Sequence, residues 1–114
     1  MSCEFLAAAE AIARRVIADA IWHRDRCNWV GVSMDPKEAW RAEYQALEPN
    51  LYDGTAGVGL FLAQLAAVTG DRDAGRTARG ALRQAVARAP AHRTPGLHGG
   101  CLGVAWAAGR AAEL

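Results

Sequence analysis

A nine-residue motif occurs twice in the chain, and the distance between its copies limits the folds open to this sequence. LYDGTAGVG at residues 51–59 aligns without gaps on LHGGCLGVA at residues 97–105, an offset of 46 residues. Each copy opens an apolar segment and follows a more charged one. A period of about 40 to 50 residues is typical of stacked or ring-forming helix pairs. We therefore expect αα-hairpins with a charged outer helix and an apolar inner helix.

The two copies share a pair of glycines. Gly54 aligns with Gly100, and Gly57 aligns with Gly103. Glycine inside a helix costs about 1 kcal/mol relative to alanine. Its use here favours a tight turn or the close approach of another backbone. We interpret these four glycines as structural.

Apolar periodicity predicts helices along most of the chain. The four longer ones are expected at residues 2–22, 54–68, 73–89 and 100–114. Asp35 followed by Pro36 resembles a helix start, so a short additional helix is expected over 36–47. Glycine at position 70 is a typical end signal for the helix before it.

Length and composition fit one all-α domain. The 114 residues suffice for a single modest domain, and the chain is rich in alanine, the strongest helix former. We predict a partial α/α toroid of two αα-hairpins over residues 1–114. Repeat 1 would cover about 1–70 and repeat 2 about 71–114.

Charge and hydropathy exclude several classes of protein. A net charge of +1 provides no basic footprint for nucleic acid. The longest uncharged run, residues 54–69, is too short and too rich in glycine for a membrane span. The N-terminus lacks the basic region of a signal peptide. A cytoplasmic location is therefore expected.

Four residues beside the glycines are candidates for a cavity-facing or capping role: Tyr52, Asp53, His98 and Cys101. Asp53 could cap the inner helix through its carboxylate. Cys101 lies in the first turn of a predicted helix, where a thiol pKa can be depressed. We nevertheless expect Cys101 to be a small buried residue, because Thr55 takes that place in the first copy.

Two aromatic side chains near the motifs have a simpler interpretation. Tyr52 and Trp106 are expected to be packing aromatics, since large rings supply much of the apolar area in a small core.

The cysteines give no clear metal or disulfide pattern. Three cysteines, one of them Cys3, and no export signal argue against a disulfide framework. His23 with Cys27 and His98 with Cys101 could hold zinc in principle. The pairs are far apart in sequence and no Cys-x-x-Cys is present. We expect no metal site and no catalytic residue in this chain.

The two motifs resemble the inner-helix motifs of lanthionine synthetase C-like (LanC-like) proteins. LYDGTAGVGLFLA at 51–63, followed by TGD at 69–71, is similar to the first inner helix of this family. GLHGGCLGVAWA at 96–107 resembles the second. WVG at 29–31 is similar to the segment before the first motif in the bifunctional and actinobacterial branches. The resemblance covers nearly the whole chain.

This resemblance implies a fold and a chemistry. Complete members form a ring of helix pairs around a central zinc ion, which two cysteines and a histidine of later repeats bind. The zinc lowers the pKa of a cysteine in a precursor peptide, and the thiolate adds to a dehydrated residue. The product is a thioether (lanthionine) ring, the step that defines lanthipeptide biosynthesis.

The chain departs from the family at the residues that carry the chemistry. Neither zinc motif, Trp-Cys-x-Gly nor Cys-His-Gly, occurs in it. The family's later His-Gly motif has its histidine directly before the first glycine of the Gly-x-x-Gly pair. Here that glycine is Gly100, and Gly99 lies between it and His98. Only the glycines at 54, 57, 100 and 103 carry over. We expect a truncated or split LanC-like protein, without a cofactor of its own and not catalytic alone.

The expected partners follow from the missing repeats. A second chain could supply them, or the chain could associate with itself, and the family implies a precursor peptide. An alternative is a non-enzymatic helical interaction module, or an oligomerising remnant of a cyclase.

Overall fold

The chain folds into four helices and two short antiparallel hairpins within residues 3–35, 41–91, 96 and 100–114, the part that a computed structural model describes. The helices are α1 (Cys3–Asp19), α2 (Thr55–Thr69), α3 (Arg72–Arg88) and α4 (Cys101–Ala112), with a 3-10 turn at Ala89–Ala91. The strands are β1 (Ile21–His23), β2 (Arg26–Asn28), β3 (Val30–Asp35) and β4 (Arg41–Ala46).

Helices α2 and α3 are joined by a tight turn that the sequence encodes directly. Gly70 adopts φ 74°, in the left-handed region, and its amide donates to Ala66 O at 2.8 Å. Asp71 then caps α3, because its carboxylate accepts from the amides of Asp73 and Ala74. This connection closes one helix and starts the next within two residues.

Helices α2 and α4, which follow the two glycine motifs, pack against each other. Ala56 and Leu60 of α2 share a buried cluster with Val104 and Ala107 of α4, and Ala85 of α3 completes it. The described residues are mostly helical, as predicted, although two short sheets accompany the helices. Closure into a ring stays a prediction.

A second buried cluster joins α1, α2 and α3. Its buried members are Ala13, Cys27, Trp29, Leu62, Leu65, Ala78 and Ala81. Leucine and tryptophan supply most of its volume, and the alanines of α3 let that helix approach closely. No described helix is long and apolar enough to cross a membrane.

The predicted helix over residues 36–47 is wrong. Residues 41–46 form strand β4, which pairs with β3 so that Val32 opposes Tyr44, while residues 36–40 lie outside the described part. Val30 and Val32 alternate with Gly31, and this period of two is that of a strand. The two short sheets therefore qualify the all-α prediction.

The first helix is also shorter than predicted. It ends at Asp19, and Ile21 and Trp22 belong to β1 instead. Trp22 opposes Cys27 across the hairpin, and both side chains lie against Gly80 of α3. Two β-branched or aromatic residues in succession favour this extended conformation over a last helical turn.

The first hairpin is held on α3 by specific contacts. The Arg76 guanidinium lies 4.2 Å from the centroid of the Trp22 ring, a cation–π geometry. The Cys27 thiol donates to Thr77 O at 3.4 Å. Asp25 and Arg83 approach to 3.9 Å, but both side chains are largely exposed, so this pair contributes little.

Trp29 connects α1 to the segment that leads into α2. Its indole N–H donates to Val16 O at 2.7 Å, and its carbonyl accepts from the Leu47 amide at 3.0 Å. The ring itself is buried. One residue therefore fixes the last turns of α1 relative to the chain just before the glycine motif.

We predict that Gly80→Val destabilises the protein by about 1–3 kcal/mol. A Cβ at this position would lie 2.6 Å from two ring carbons of Trp22 and 2.9 Å from the Cys27 sulfur, so the hairpin must shift away from α3. Urea unfolding measures the change in free energy.

The matched control is Gly109→Ala in α4, where a Cβ meets no atom within 4 Å. This change should raise the free energy of unfolding by about 0.5–1 kcal/mol through helix propensity alone. Equal effects at the two positions would contradict the packing of the hairpin on α3.

Candidate functional site

The start of α2 is built by the preceding chain, which folds back over the first helical turn. The amide of Thr55 donates to Glu48 O at 2.9 Å, and the amide of Ala56 donates to Pro49 O at 3.3 Å. The first amides of a helix have no partner within the helix, so these two bonds satisfy groups that would otherwise be orphaned. We call residues 48–57 the glycine turn.

The loop of the glycine turn has its own internal support. Asn50 is buried, and its side-chain oxygen accepts from the Asp53 amide at 2.9 Å. Such a bond between an asparagine side chain and the backbone a few residues later stabilises a tight turn. The chain is thereby directed into α2 with Gly54 as the N-cap residue.

Glycine is needed in this turn because of the close approach of two backbone segments. A Cβ at Gly54 would overlap the carbonyl oxygen of Glu48 and lie 2.7 Å from both the nitrogen and the oxygen of Asn50. A Cβ at Gly57 would overlap the carbonyl oxygen of Leu51. Backbone atoms cannot move aside as a flexible side chain can, so both positions exclude a larger residue.

The two candidates in the turn lie on the surface. Tyr52 is 80% exposed, so its predicted role as a packing aromatic does not hold. Asp53 is exposed as well, beside Leu47 and Glu48 in a shallow cleft. Backbone carbonyls, rather than the Asp53 carboxylate, accept from the Thr55 and Ala56 amides.

The second motif repeats the start of the inner helix at α4. Gly100 is the N-cap residue there, as Gly54 is for α2. Cys101 is half-buried, whereas its counterpart Thr55 is fully buried and its hydroxyl has no hydrogen-bond partner in the described part. His98 lies outside the described residues, so its relation to Cys101 stays a prediction.

A comparison with known families finds a match for most of this chain. The family described as lanthionine synthetase C-like protein matches residues 45–114, more than half of the chain, and the match includes both glycine motifs and helices α2 to α4. The chain belongs to the lanthionine synthetase C-like family. No curated protein matches the chain. Helix α1 and the first hairpin lie before the matched residues.

The described part of this LanC-like chain does not fit a zinc ion. Within residues 3–35, 41–91, 96 and 100–114 there is no group of three or more His, Cys, Asp or Glu that could hold a metal. His23 and Cys27 lie on paired strands rather than one helix turn apart, and His23 is exposed while Cys27 is buried.

Cys27 is also unsuited to act as a nucleophile. Burial raises the pKa of its thiol to about 11, and the positive charge of Arg76 only partly opposes this shift. A thiol with this pKa remains protonated at neutral pH, and only the thiolate attacks or binds a metal well. Its function in this LanC-like chain is to pack β2 on α3 and to bond Thr77 O.

The sequence reasoning missed two features of the site. The sequence marks Trp29 only as part of the WVG motif, whereas in the structure it anchors α1 through the Val16 carbonyl. Trp106 was expected to pack, but it is 51% exposed, and its neighbour Leu102 is 59% exposed. Trp106 follows Leu102 by four residues, and this spacing predicts that the two side chains lie on the same face of α4.

We predict that Gly57→Ala lowers the free energy of unfolding by about 1–3 kcal/mol, even though alanine is the better helix former. The new methyl group would overlap the Leu51 carbonyl, so the glycine turn must open. Chemical denaturation gives the difference, and faster hydrogen exchange at the Thr55 and Ala56 amides would locate it.

Gly75→Ala in α3 serves as its control. The nearest atoms to a Cβ there lie at 3.7 Å and 3.9 Å, which is ordinary contact. This variant should gain about 0.5–1 kcal/mol. A Gly57→Ala protein as stable as Gly75→Ala would show that the turn does not approach α2 as described.

Proposed function

We propose that this chain forms one arc of a LanC-like ring and that the ring takes part in thioether formation during modification of a ribosomal peptide. The observation that carries the proposal is the family match over residues 45–114, which includes both inner helices. The packing of α2 against α4 supports it, because adjacent inner helices are what an arc of such a ring requires.

The proposed contribution of this arc is structural. In a complete member the zinc would activate a cysteine of the precursor peptide, but the described residues offer no ligand set for it. This chain's own residues would instead hold the inner helices in place, through the glycine turn at 48–57 and the cluster of Ala56, Leu60 and Val104. The remaining repeats, with the zinc ligands, would come from another segment or a second chain.

A second candidate is a non-enzymatic interaction module, and the exposed apolar residues of α4 favour it. Leu102 and Trp106 lie at the surface of a helix whose other side is buried. Such a pair on one helix face can serve binding without any chemistry. One property distinguishes the two functions. If the chain is a ring arc, it should keep a cyclase active when it is exchanged for the equivalent segment, whereas an interaction module should not.

We predict that residues 45–114 can replace the matching segment of an active LanC-like cyclase. The chimera should form thioether rings at a rate within about tenfold of the unmodified cyclase, because the zinc ligands lie outside the exchanged segment. A tenfold change in rate corresponds to about 1.4 kcal/mol in the activation barrier. Mass spectrometry of a dehydrated precursor peptide, after blocking free thiols with N-ethylmaleimide, counts the rings formed.

A chimera that also carries Gly57→Val is the matched control. It should lose activity together with its helical fold, because the valine would overlap the Leu51 carbonyl. The chimera without Gly57→Val could also fold and contain zinc but form no thioether. That result would contradict the ring-arc proposal and favour the interaction module.

A further inference from the structure

The charges of this chain are unevenly distributed, and most of the imbalance lies in α3. This helix contains five arginines and one acidic residue, Asp73, whereas the net charge of the whole chain is only +1. The rest of the chain is therefore acidic on balance. A local concentration of one charge attracts ligands of the opposite charge even where the net charge of a protein is close to zero.

Four of these arginines lie on one face of the helix. They follow one another at intervals of four, three and four residues, which places them in a row, and all four are exposed: Arg72, Arg76, Arg79 and Arg83. We call them the arginine stripe. At about 1.5 Å per residue the stripe is about 16 Å long. It faces away from α2, because the alanines that α3 buries lie on the opposite side of the helix: Ala74, Ala78, Ala81 and Ala85.

The arginine stripe is poorly neutralised within the described part of the chain. Arg83 has one carboxylate nearby, that of Asp25 at 3.9 Å, and both side chains are largely exposed. The other three arginines of the stripe form no ion pair with any described residue. The Asp71 carboxylate at the start of the helix already accepts from backbone amides as the cap of α3. Most guanidinium N–H donors of the stripe are therefore open to an outside acceptor.

One guanidinium of the stripe is held in place by an aromatic ring. The guanidinium carbon of Arg76 lies 4.2 Å from the centroid of the Trp22 ring. The ring face attracts the cation, while the N–H donors remain at the edge of the guanidinium, where a carboxylate can accept two of them. Arg76 therefore loses less conformational freedom on binding an anion than a mobile surface arginine does.

We propose that the arginine stripe binds an acidic peptide segment, whose Asp or Glu carboxylates pair with the guanidinium groups. Arginine is the cation that holds a carboxylate through two parallel hydrogen bonds, and α3 contains no lysine. Neighbouring arginines of the stripe are about 4.5–6 Å apart along the helix axis, and alternate residues of an extended peptide are about 6.6 Å apart. A short extended segment with an acidic residue at every second position therefore fits the row.

A peptide fits this surface better than a lipid bilayer does. Helices that bind membranes place large apolar side chains beside their basic residues, so that the helix enters the interface. Trp22 and Leu82, the large apolar residues beside the stripe, are instead partly buried within the chain. The inference does not depend on the proposed ring, because α3 and the first hairpin both lie within the described residues.

The experiment measures the binding of a fluorescein-labelled acidic peptide to the full chain by fluorescence anisotropy. The peptide has about eight residues and alternates glutamate with serine, so that it spans the stripe when extended. The same peptide with glutamine in place of glutamate is the matched negative probe.

Two double variants locate the binding surface. Arg76→Gln with Arg79→Gln removes the centre of the stripe. Arg14→Gln with Arg15→Gln is the matched control, because it removes the same charge from exposed positions on α1. Circular dichroism and urea unfolding verify that both variants are folded.

The unchanged protein should bind the glutamate peptide at low salt and should not bind the glutamine peptide. Loss of the two central arginines should weaken binding at least about fivefold, whereas the α1 variant should stay within about twofold of the unchanged protein. Raising the salt from about 0.01 M to about 0.15 M should also weaken binding, because the screening length falls from about 30 Å to about 8 Å.

Several results would overturn the proposal. An equal loss of affinity in the two double variants would show that the peptide responds to overall charge rather than to the stripe. Equal binding of the two peptides would exclude carboxylate recognition. Failure of the glutamate peptide to bind at low salt would overturn the proposal as well, and stripe-dependent binding of phosphatidylserine vesicles in its place would identify a lipid surface as the partner. None of these readouts needs zinc or thioether formation, so their failure is distinct from that of the cyclase chimera.

Discussion

The fold depends on how closely other parts of the chain can approach helix α2. Gly54 and Gly57 admit the backbone of residues 48–51, and Gly59 admits Leu82 of α3. Gly57 and Gly59 lie inside the helix, where each costs about 1 kcal/mol of helix propensity. The close approach offsets this cost, because it satisfies the first amides of the helix and buries α2 on two sides. With bulkier residues at these positions, the hairpins could not stack at this distance.

The repeat and its glycines were enough to predict the inner helices and the outer helix between them. Helix α2 begins and ends within one residue of the expected bounds, and the Gly70 turn follows directly from its residues. The inward faces were less predictable. Val68 and Val86 are apolar residues of α2 and α3, yet they are 61% and 52% exposed, because each lies near the end of its helix.

The segment between α1 and the glycine turn could not be predicted for a different reason. Strands β1 and β2 have three residues each, too few to show a period of two. Their conformation is fixed by distant contacts, of Trp22 and Cys27 with Gly80, and these are invisible in a local pattern. Asp35-Pro36 is a legitimate helix-start signal, but the pairing of β4 with β3 overrides it. Local spacing therefore predicts the helices after the glycine turn, whereas tertiary packing determines the strands before it.

The central claim is that the two motif-bearing helices form one packed interface, and a double-mutant cycle tests it most directly. Leu60→Ala and Val104→Ala are measured singly and together by urea unfolding. Our account predicts a coupling energy of about 0.5–3 kcal/mol, because both side chains belong to the buried cluster between α2 and α4. Effects that add to within about 0.3 kcal/mol, as for residues far apart, would contradict it.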